Sequence, residues 1–273
     1  MLRKILPVSV PPRISIVMSA ALSESLTPIS SSPVPPLDTP IFELSSVAFF
    51  GRSLAEYVEF FELDLAYLKG KAVLDVAGGP ASFTAEACRV GIDAVAVDPL
   101  YGSRLETLET QVQLDYNRVF KGMRMRKNRG RFRMKSFSSV TAAERDRRSA
   151  ARRFLEDYEA HFVHGRYFGA ALPQLPFFDR TFHVVLCAHL LFIYAAQFDY
   201  AFHLAACREL MRVARYEVRI HPGCGADGKP YEHLDRLIGE LAHEGIAAKI
   251  VRVNYEFFAG ADSMLVLNRG SHQ

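Results

Sequence analysis

The chain has 273 residues, 49% of them hydrophobic, and a formal net charge of +3. That is enough for one large domain with appendages, or at most two small ones, and no run of 18 uncharged apolar residues offers a membrane-spanning helix. The four cysteines, Cys88, Cys187, Cys207 and Cys224, lack C-x-x-C spacing, which argues against a structural zinc site and for a reduced, cytoplasmic protein.

The first 40 residues hold 8 of the 14 prolines and no acidic residue before Glu24. Such a stretch buries too little surface to offset its ordering entropy, so residues 1–40 read as a disordered Pro/Ser-rich tail. Arg3, Lys4 and Arg13 weakly resemble an organelle-targeting peptide, but Pro7, Pro11 and Pro12 interrupt any amphipathic helix there. From residue 41 the pattern is globular. Phe49 to Leu68 is apolar at helical spacing, with Tyr57, Phe60, Phe61 and Leu65 on one side.

Next comes Val73-Leu74-Asp75-Val76-Ala77-Gly78-Gly79-Pro80-Ala81-Ser82-Phe83, then Ala94-Val95-Ala96-Val97-Asp98-Pro99. This reads as a buried strand, a glycine turn, a helix over 80–90 ended by Gly91, and a second buried strand closing on a carboxylate. A glycine turn at a strand's C-terminal end lets a ligand approach the backbone. An acidic residue about 20 positions further on is placed to accept hydrogen bonds from ribose hydroxyls. Asp98 lies 19 residues after Gly79, so the pair points to an adenosine-containing cofactor. The loop fails the G-x-G-x-x-G pattern that a dinucleotide's pyrophosphate needs.

Residues 118–153 carry 14 Lys or Arg against Glu144 and Asp146, a local charge of +12, leaving −9 for the rest. They lie in an insertion, 102–160, between the second and third strands. Arg129, Arg131, Arg133 and Lys135 alternate with Gly130, Phe132, Met134 and Ser136, and strand geometry would put the four cations on one face. Thr141 with Glu144 forms a capping box opening a helix over 142–159. One reading is a cationic flap that recruits an anionic substrate, RNA included. The other, preferred over nucleic acid, is a solvated insertion or a small anionic substrate, since no nucleic-acid motif is present. Further strands are expected at 161–164, 183–187, 216–220, 248–253 and 263–268, with helices at 197–214 and 231–243. The last two runs are joined too closely for a helix and should form an antiparallel hairpin.

The Asp75-to-Ala81 turn resembles the first motif of class I S-adenosylmethionine-dependent methyltransferases, an acidic residue closing a strand before a G-x-G-x-G-like turn. Asp75 matches the acid and Gly79 the central glycine; Ala77 and Ala81 replace the outer glycines. The segments Gly165-Arg166-Tyr167, Leu175-Pro176-Phe177 and Phe178-Asp179-Arg180-Thr181-Phe182-His183 are also similar to that family. There Arg166 stands where an Asp commonly binds adenine, and His183 replaces the usual fourth-strand Asp. LLFIY at 190–194, FDY at 198–200, EVRIHP at 217–222 and YEFFAG at 255–260 resemble an uncharacterised bacterial subgroup. The resemblance covers about residues 50–268.

It implies an α/β fold: a Rossmann-like, doubly wound, mostly parallel seven-stranded sheet with a C-terminal antiparallel hairpin, in a domain spanning 41–273. It also implies S-adenosylmethionine as cofactor. Asp75, Ala77, Gly78, Gly79 and Pro80 would hold its methionine end, Asp98 and Pro99 the ribose, and Leu100 or Tyr101 would border the adenine. His189, closing the fourth strand, would act as general base or orienting group, with Tyr194 beside it on the acceptor side. Asp199 and His203, four apart, could share a helix face as a hydrogen-bonded pair; two ligands do not make a metal site, and none is expected. His221 could approach the pocket mouth. The acceptor is expected to be a small, anionic molecule. Two alternatives stay open: a non-catalytic cofactor-binding or RNA-interacting module on the same fold, and an NAD(P)-dependent oxidoreductase.

Overall fold

Apolar runs with few interruptions mark strands buried on both faces, which is how the strands of a covered parallel sheet read. In the computed structural model, which describes residues 46–125 and 131–269, these runs become β1 (Ala72–Val76), β2 (Asp93–Asp98), β3 (Tyr167–Gly169), β4 (Phe182–Ala188), β5 (Ala214–His221), β6 (Ile246–Arg252) and β7 (Ser263–Arg269). The helices are α1 (Leu54–Phe61), α2 (Leu65–Leu68), α3 (Phe83–Arg89), α4 (Leu105–Arg124), α5 (Val140–His161), α6 (Tyr200–Val213) and α7 (Leu234–His243).

The strands join in the order β3-β2-β1-β4-β5-β7-β6. The first five pair in parallel, and β7 runs antiparallel between β5 and β6. This is the doubly wound sheet with an antiparallel C-terminal pair that the sequence led us to expect. Alternation along each strand feeds two cores. Val73, Ala94 and Ala96 face one side with the aromatic residues of α1, α3, α4 and α5; Leu74, Val76, Val95 and Val97 face the other with α6 and α7. After β3 the chain crosses back over β2 and β1 to enter β4, so successive connections diverge between β1 and β4. A crevice opens outside the carboxyl ends of the strands at such a reversal.

Several local expectations need correction. The single helix over 49–68 is two: Glu62 turns left-handed (φ 51°) to end α1, and the Asp64 side chain accepts from the Tyr67 amide to start α2. Residues 49–52 precede the helix and belong to no regular element, with Gly51 so close to Pro80 and Ala81 that a Cβ would lie 2.1 Å from their backbone. The strand expected at 161–164 is the end of α5 followed by a single 3-10 turn, Phe162–His164; β3 begins at Tyr167, which is buried, whereas Val163 is 81% exposed. The basic alternation over 131–135 does not build a strand. Met134 turns left-handed (φ 45°), and the amides of Arg133 and Met134 both donate to the Phe257 carbonyl. Ser139, not Thr141, caps α5, its hydroxyl accepting from the Ala142 amide at 3.1 Å. Arg129 and the expected tail, 1–40, lie outside the described residues.

The charge asymmetry of the insertion finds a structural answer. Arg118 pairs with Asp115, Arg124 and Arg148 with Glu144, Lys135 with Glu256, Arg147 with Glu56 and Arg153 with Glu86. Acidic residues of α1, α3, α4 and the β6–β7 connection thus offset four of the twelve net charges of a segment that composition alone presents as a free cationic surface. Most of these pairs are partly exposed and individually worth under about 1 kcal/mol.

Candidate functional site

The turn after β1 lies in the β1–β4 crevice. Ala77 and Gly79 both adopt left-handed φ, 56° and 52°. The Gly78 amide donates to the Val97 carbonyl at 3.1 Å, tying the turn to β2. A Cβ on Gly78 would meet Asp75 Oδ2 at 2.8 Å and the Tyr101 hydroxyl at 3.0 Å, so no other residue fits there without displacement. Asp98, at the end of β2, reaches across: Oδ2 accepts from the Gly79 amide at 3.1 Å and Oδ1 from the Leu100 amide at 2.9 Å. Burial pushes its carboxyl up to about 6, although both amides pull it down.

Two cavities meet at this point. One, of about 1060 Å³ including its open mouth, is bordered by Val76, Pro99, Leu100, Ala171 and Leu172. The other, of about 700 Å³ measured likewise, runs from Gly79 past Ala188, His189 and Tyr194 to Arg52 and Arg147. Ala77, Asp98 and Leu190 line both. A slot with apolar walls and a carboxylate at one edge suits a nucleoside; a second, mixed pocket beyond it suits a second reactant.

Of the sequence candidates, Ala77, Gly79, Asp98, Pro99, Leu100, His189 and Tyr194 come together around these cavities. Asp75, Gly78, Pro80 and Tyr101 stand behind the turn and line neither. Asp75 is buried and accepts from the Tyr57 hydroxyl, 3.1 Å to each oxygen. Burial pushes its carboxyl up to about 8, Tyr57 opposing and Asp98 adding, so at neutral pH the protonated form prevails. Tyr101, expected at the adenine, instead donates its hydroxyl to the Gly79 carbonyl at 2.6 Å and packs its ring against Phe154 and Tyr167. Arg166, placed by sequence at the adenine, precedes β3 and binds Asp157 at 2.7 Å; the residues following β3 at the cavity are Ala170, Ala171 and Leu172.

His189 follows β4 with a left-handed backbone (φ 53°), its amide donating to the His221 carbonyl at 2.6 Å. Its Nδ1 has no hydrogen-bond partner among the described residues. Burial, then Arg52, His221 and Arg147, push its pKa well down, so it is a neutral imidazole. His221 is not at a mouth but fully buried, stacked on Phe60 at 4.6 Å and pushed down to about 3 by burial and Arg52. His203 is a core histidine: its ring nitrogens meet the carbonyls of Asp199 and Leu191, while the Asp199 side chain caps α6. His183 pairs with the Tyr67 hydroxyl on the far edge. Among the described residues no cluster of three or more His, Cys, Asp or Glu could hold a metal, and no helix is long and apolar enough to cross a membrane.

No protein-family model matches the chain. A curated protein, the uncharacterized protein MJ0045 of Methanocaldococcus jannaschii, is 31% identical over 227 residues, covering 83% of this chain and 98% of that protein. The chain belongs to the MJ0045 family. Solved structures similar to it include the PH0226 protein of Pyrococcus horikoshii OT3, at 14% identity, 79% and 90% coverage of the two chains and a TM-score of 0.43. Another is the magnesium protoporphyrin IX methyltransferase of Synechocystis PCC 6803 with bound SAM, at 13% identity, 76% coverage of each chain and a TM-score of 0.39.

In this member of the MJ0045 family the acceptor-side cavity also holds charged residues that sequence reasoning missed. Arg147 is fully buried and forks onto Glu56, Nε to Oε2 at 3.1 Å and Nη2 to Oε1 at 2.6 Å. The Tyr255 hydroxyl donates to Glu56 Oε1 at 2.6 Å, and the Phe257 ring lies 3.9 Å from the guanidinium carbon. Arg52, 9% exposed, has one long bond, Nη1 to the Phe50 carbonyl at 3.5 Å. Composition hides Arg147 among its basic neighbours. The available signal was helical position: Arg147 lies four residues after Ala143 and before Ala151, both buried on the same face of α5.

Proposed function

We propose that the protein is an S-adenosylmethionine-dependent methyltransferase acting on a small acceptor, in a cytoplasmic setting consistent with four free cysteines. The observation that carries this reading is the meeting of the two cavities at Ala77 and Asp98, an apolar-walled slot edged by a carboxylate on one side and a pocket holding His189, Tyr194 and two arginines on the other. When bound, the cofactor supplies a methyl group on a sulfonium, transferable by in-line displacement. The residues present fit it. Asp98 offers ribose hydroxyls an ionised acceptor, Leu100, Ala171 and Leu172 offer the adenine apolar walls, and the Ala77–Gly79 backbone leaves room for the amino-acid tail. His189, neutral and lining the cavity, can orient the acceptor, which is the modest help a reaction governed by proximity requires.

The dinucleotide reading has less support. A pyrophosphate would need free amides at the start of α3, but the Ser82 amide donates to the Arg52 carbonyl and the Gly79 amide to Asp98. Glu86, in the first turn of α3, adds a carboxylate where an anion would sit. The RNA-interacting alternative has no nucleic-acid motif behind it, and six of the fourteen cations of residues 118–153 form ion pairs among the described residues.

The test is titration calorimetry of the full chain with S-adenosylmethionine, S-adenosylhomocysteine and NADH. Binding of the two sulfur compounds alone, lost in Asp98→Ala, is expected. Binding of NADH alone, or of none, refutes the reading.

A further inference from the structure

Two buried arginines line the cavity beyond the turn, and each keeps a buried N–H that finds no partner among the described residues. Arg147 leaves Nη1 without a partner after Glu56 and Tyr255 have taken Nε and Nη2; Arg52 leaves Nε. The two guanidinium carbons lie 5.5 Å and 5.6 Å from the centroid of the same Phe50 ring, so like charges are held near one another. Among the described residues Glu56 is the one carboxylate bonded to either. Asp98 is occupied by the Gly79 and Leu100 amides, Asp75 by Tyr57, and Asp146, half-buried, by the Ser53 hydroxyl. A buried charge without a counterion is costly, and a guanidinium with an orphaned N–H beside a cavity is suited to an incoming oxyanion.

We propose that this cavity binds its acceptor as an apolar carboxylate, held between Arg52 and Arg147, an inference that rests on the methyl-transfer reading for the acceptor's role. The cofactor does not remove the need for the anion. Its single carboxylate can be set against one arginine and Glu56 against the other, while Asp98 faces the ribose hydroxyls, so its ammonium still lacks a partner, in S-adenosylhomocysteine as much as in S-adenosylmethionine. The rest of the lining is apolar: Phe50, Val119, Met123, Ile193, Phe257 and Phe258. Such walls would leave the hydroxyls of a sugar or a polyphosphate's remaining oxygens unsatisfied, but they accommodate an aromatic or branched body behind one carboxylate. The Tyr194 hydroxyl, which accepts from the Ala48 amide and keeps its own proton to donate, also lines the cavity and is left for one further polar atom on the same molecule.

The experiment measures binding of benzoate, phenylacetate and octanoate, with benzamide and benzyl alcohol as neutral counterparts, to the full chain with and without saturating S-adenosylhomocysteine. Methylthioadenosine, which lacks the amino-acid tail, is titrated separately. At least one acid is expected to bind in both conditions, with its neutral counterpart at least tenfold weaker. Arg52→Met should weaken that acid about tenfold or more and leave methylthioadenosine unchanged. Arg147→Lys, which keeps a charge beside Glu56 but loses the fork, should weaken it too, and unchanged circular dichroism will show that each variant is folded. Equal binding of acids and neutral molecules, or binding of no acid, overturns the proposal. So does displacement of every acid by S-adenosylhomocysteine with Arg52→Met weakening only that ligand, since the arginines would then serve the cofactor's tail. Failure of S-adenosylhomocysteine and methylthioadenosine to bind while an acid still does would sink the methyl-transfer reading and leave the anion site standing.

Discussion

Replacing Asp75 by Asn tests whether a neutral carboxylic acid supports the cofactor turn. The Asp75 side chain is 1% exposed, receives Tyr57 at 3.1 Å on each oxygen, and has its carboxyl pushed up to about 8 by burial. An unfolded chain releases that proton near pH 3.9. Because the folded value is raised, the stability this group contributes is fully present below that pH and is lost as pH rises through about 8. Over the interval the loss is about 1.4 kcal/mol per pH unit, or about 2.7 kcal/mol between pH 5 and pH 7. Asn keeps an oxygen to accept from Tyr57 and has no proton to lose. In urea unfolding of both proteins at pH 5, 6, 7 and 8, the variant's stability relative to the parent should therefore climb by about 1 kcal/mol or more at each step. A difference that stays constant across that range would mean Asp75 is ionised throughout, and the account of the turn would be wrong.

The left-handed backbone of Ala77 (φ 56°) costs about 1 kcal/mol relative to glycine, so Ala77→Gly should raise the melting temperature by a few degrees in calorimetry; a fall contradicts the strain. Arg147→Met strands Glu56 in the core and should cost about 3–5 kcal/mol in chemical denaturation, while adding Glu56→Gln should recover much of it; additive losses would show that the two do not act as a pair. With Asp98 pushed up to about 6, affinity for S-adenosylhomocysteine should drop several-fold as pH falls from 7 to 5, and Asp98→Asn should show no such drop; parallel profiles would mean Asp98 is not the titrating contact.

The parts of this fold that could be read from sequence are those whose signal is local. The apolar run of β1, the Gly78–Gly79 turn and the carboxylate ending β2 carry their geometry in consecutive residues, and the short gap between the last two strands dictates an antiparallel pair. What failed depended on distant partners. The alternating arginines of 131–135 have strand periodicity, yet the strand that would pair with them is replaced by two amides donating to the Phe257 carbonyl. The third strand was misplaced because Phe162 and Val163 look like its start, and only pairing of Tyr167 with Ala96 fixes the register. That slip carried Arg166 to the wrong end of the strand and put it at the adenine. Arg147 was invisible as a site residue because its partner Glu56 lies 91 positions away, and charge composition cannot distinguish a buried arginine from the exposed ones beside it.

The most direct measurement is a crystal structure of the full chain grown with S-adenosylhomocysteine. The ribose hydroxyls should lie on the Asp98 carboxylate, the adenine between Leu100 and Leu172, and the sulfur at Ala77, facing the cavity of His189 and the two arginines. A ligand bound anywhere else, or a ribose turned away from Asp98, would contradict the account.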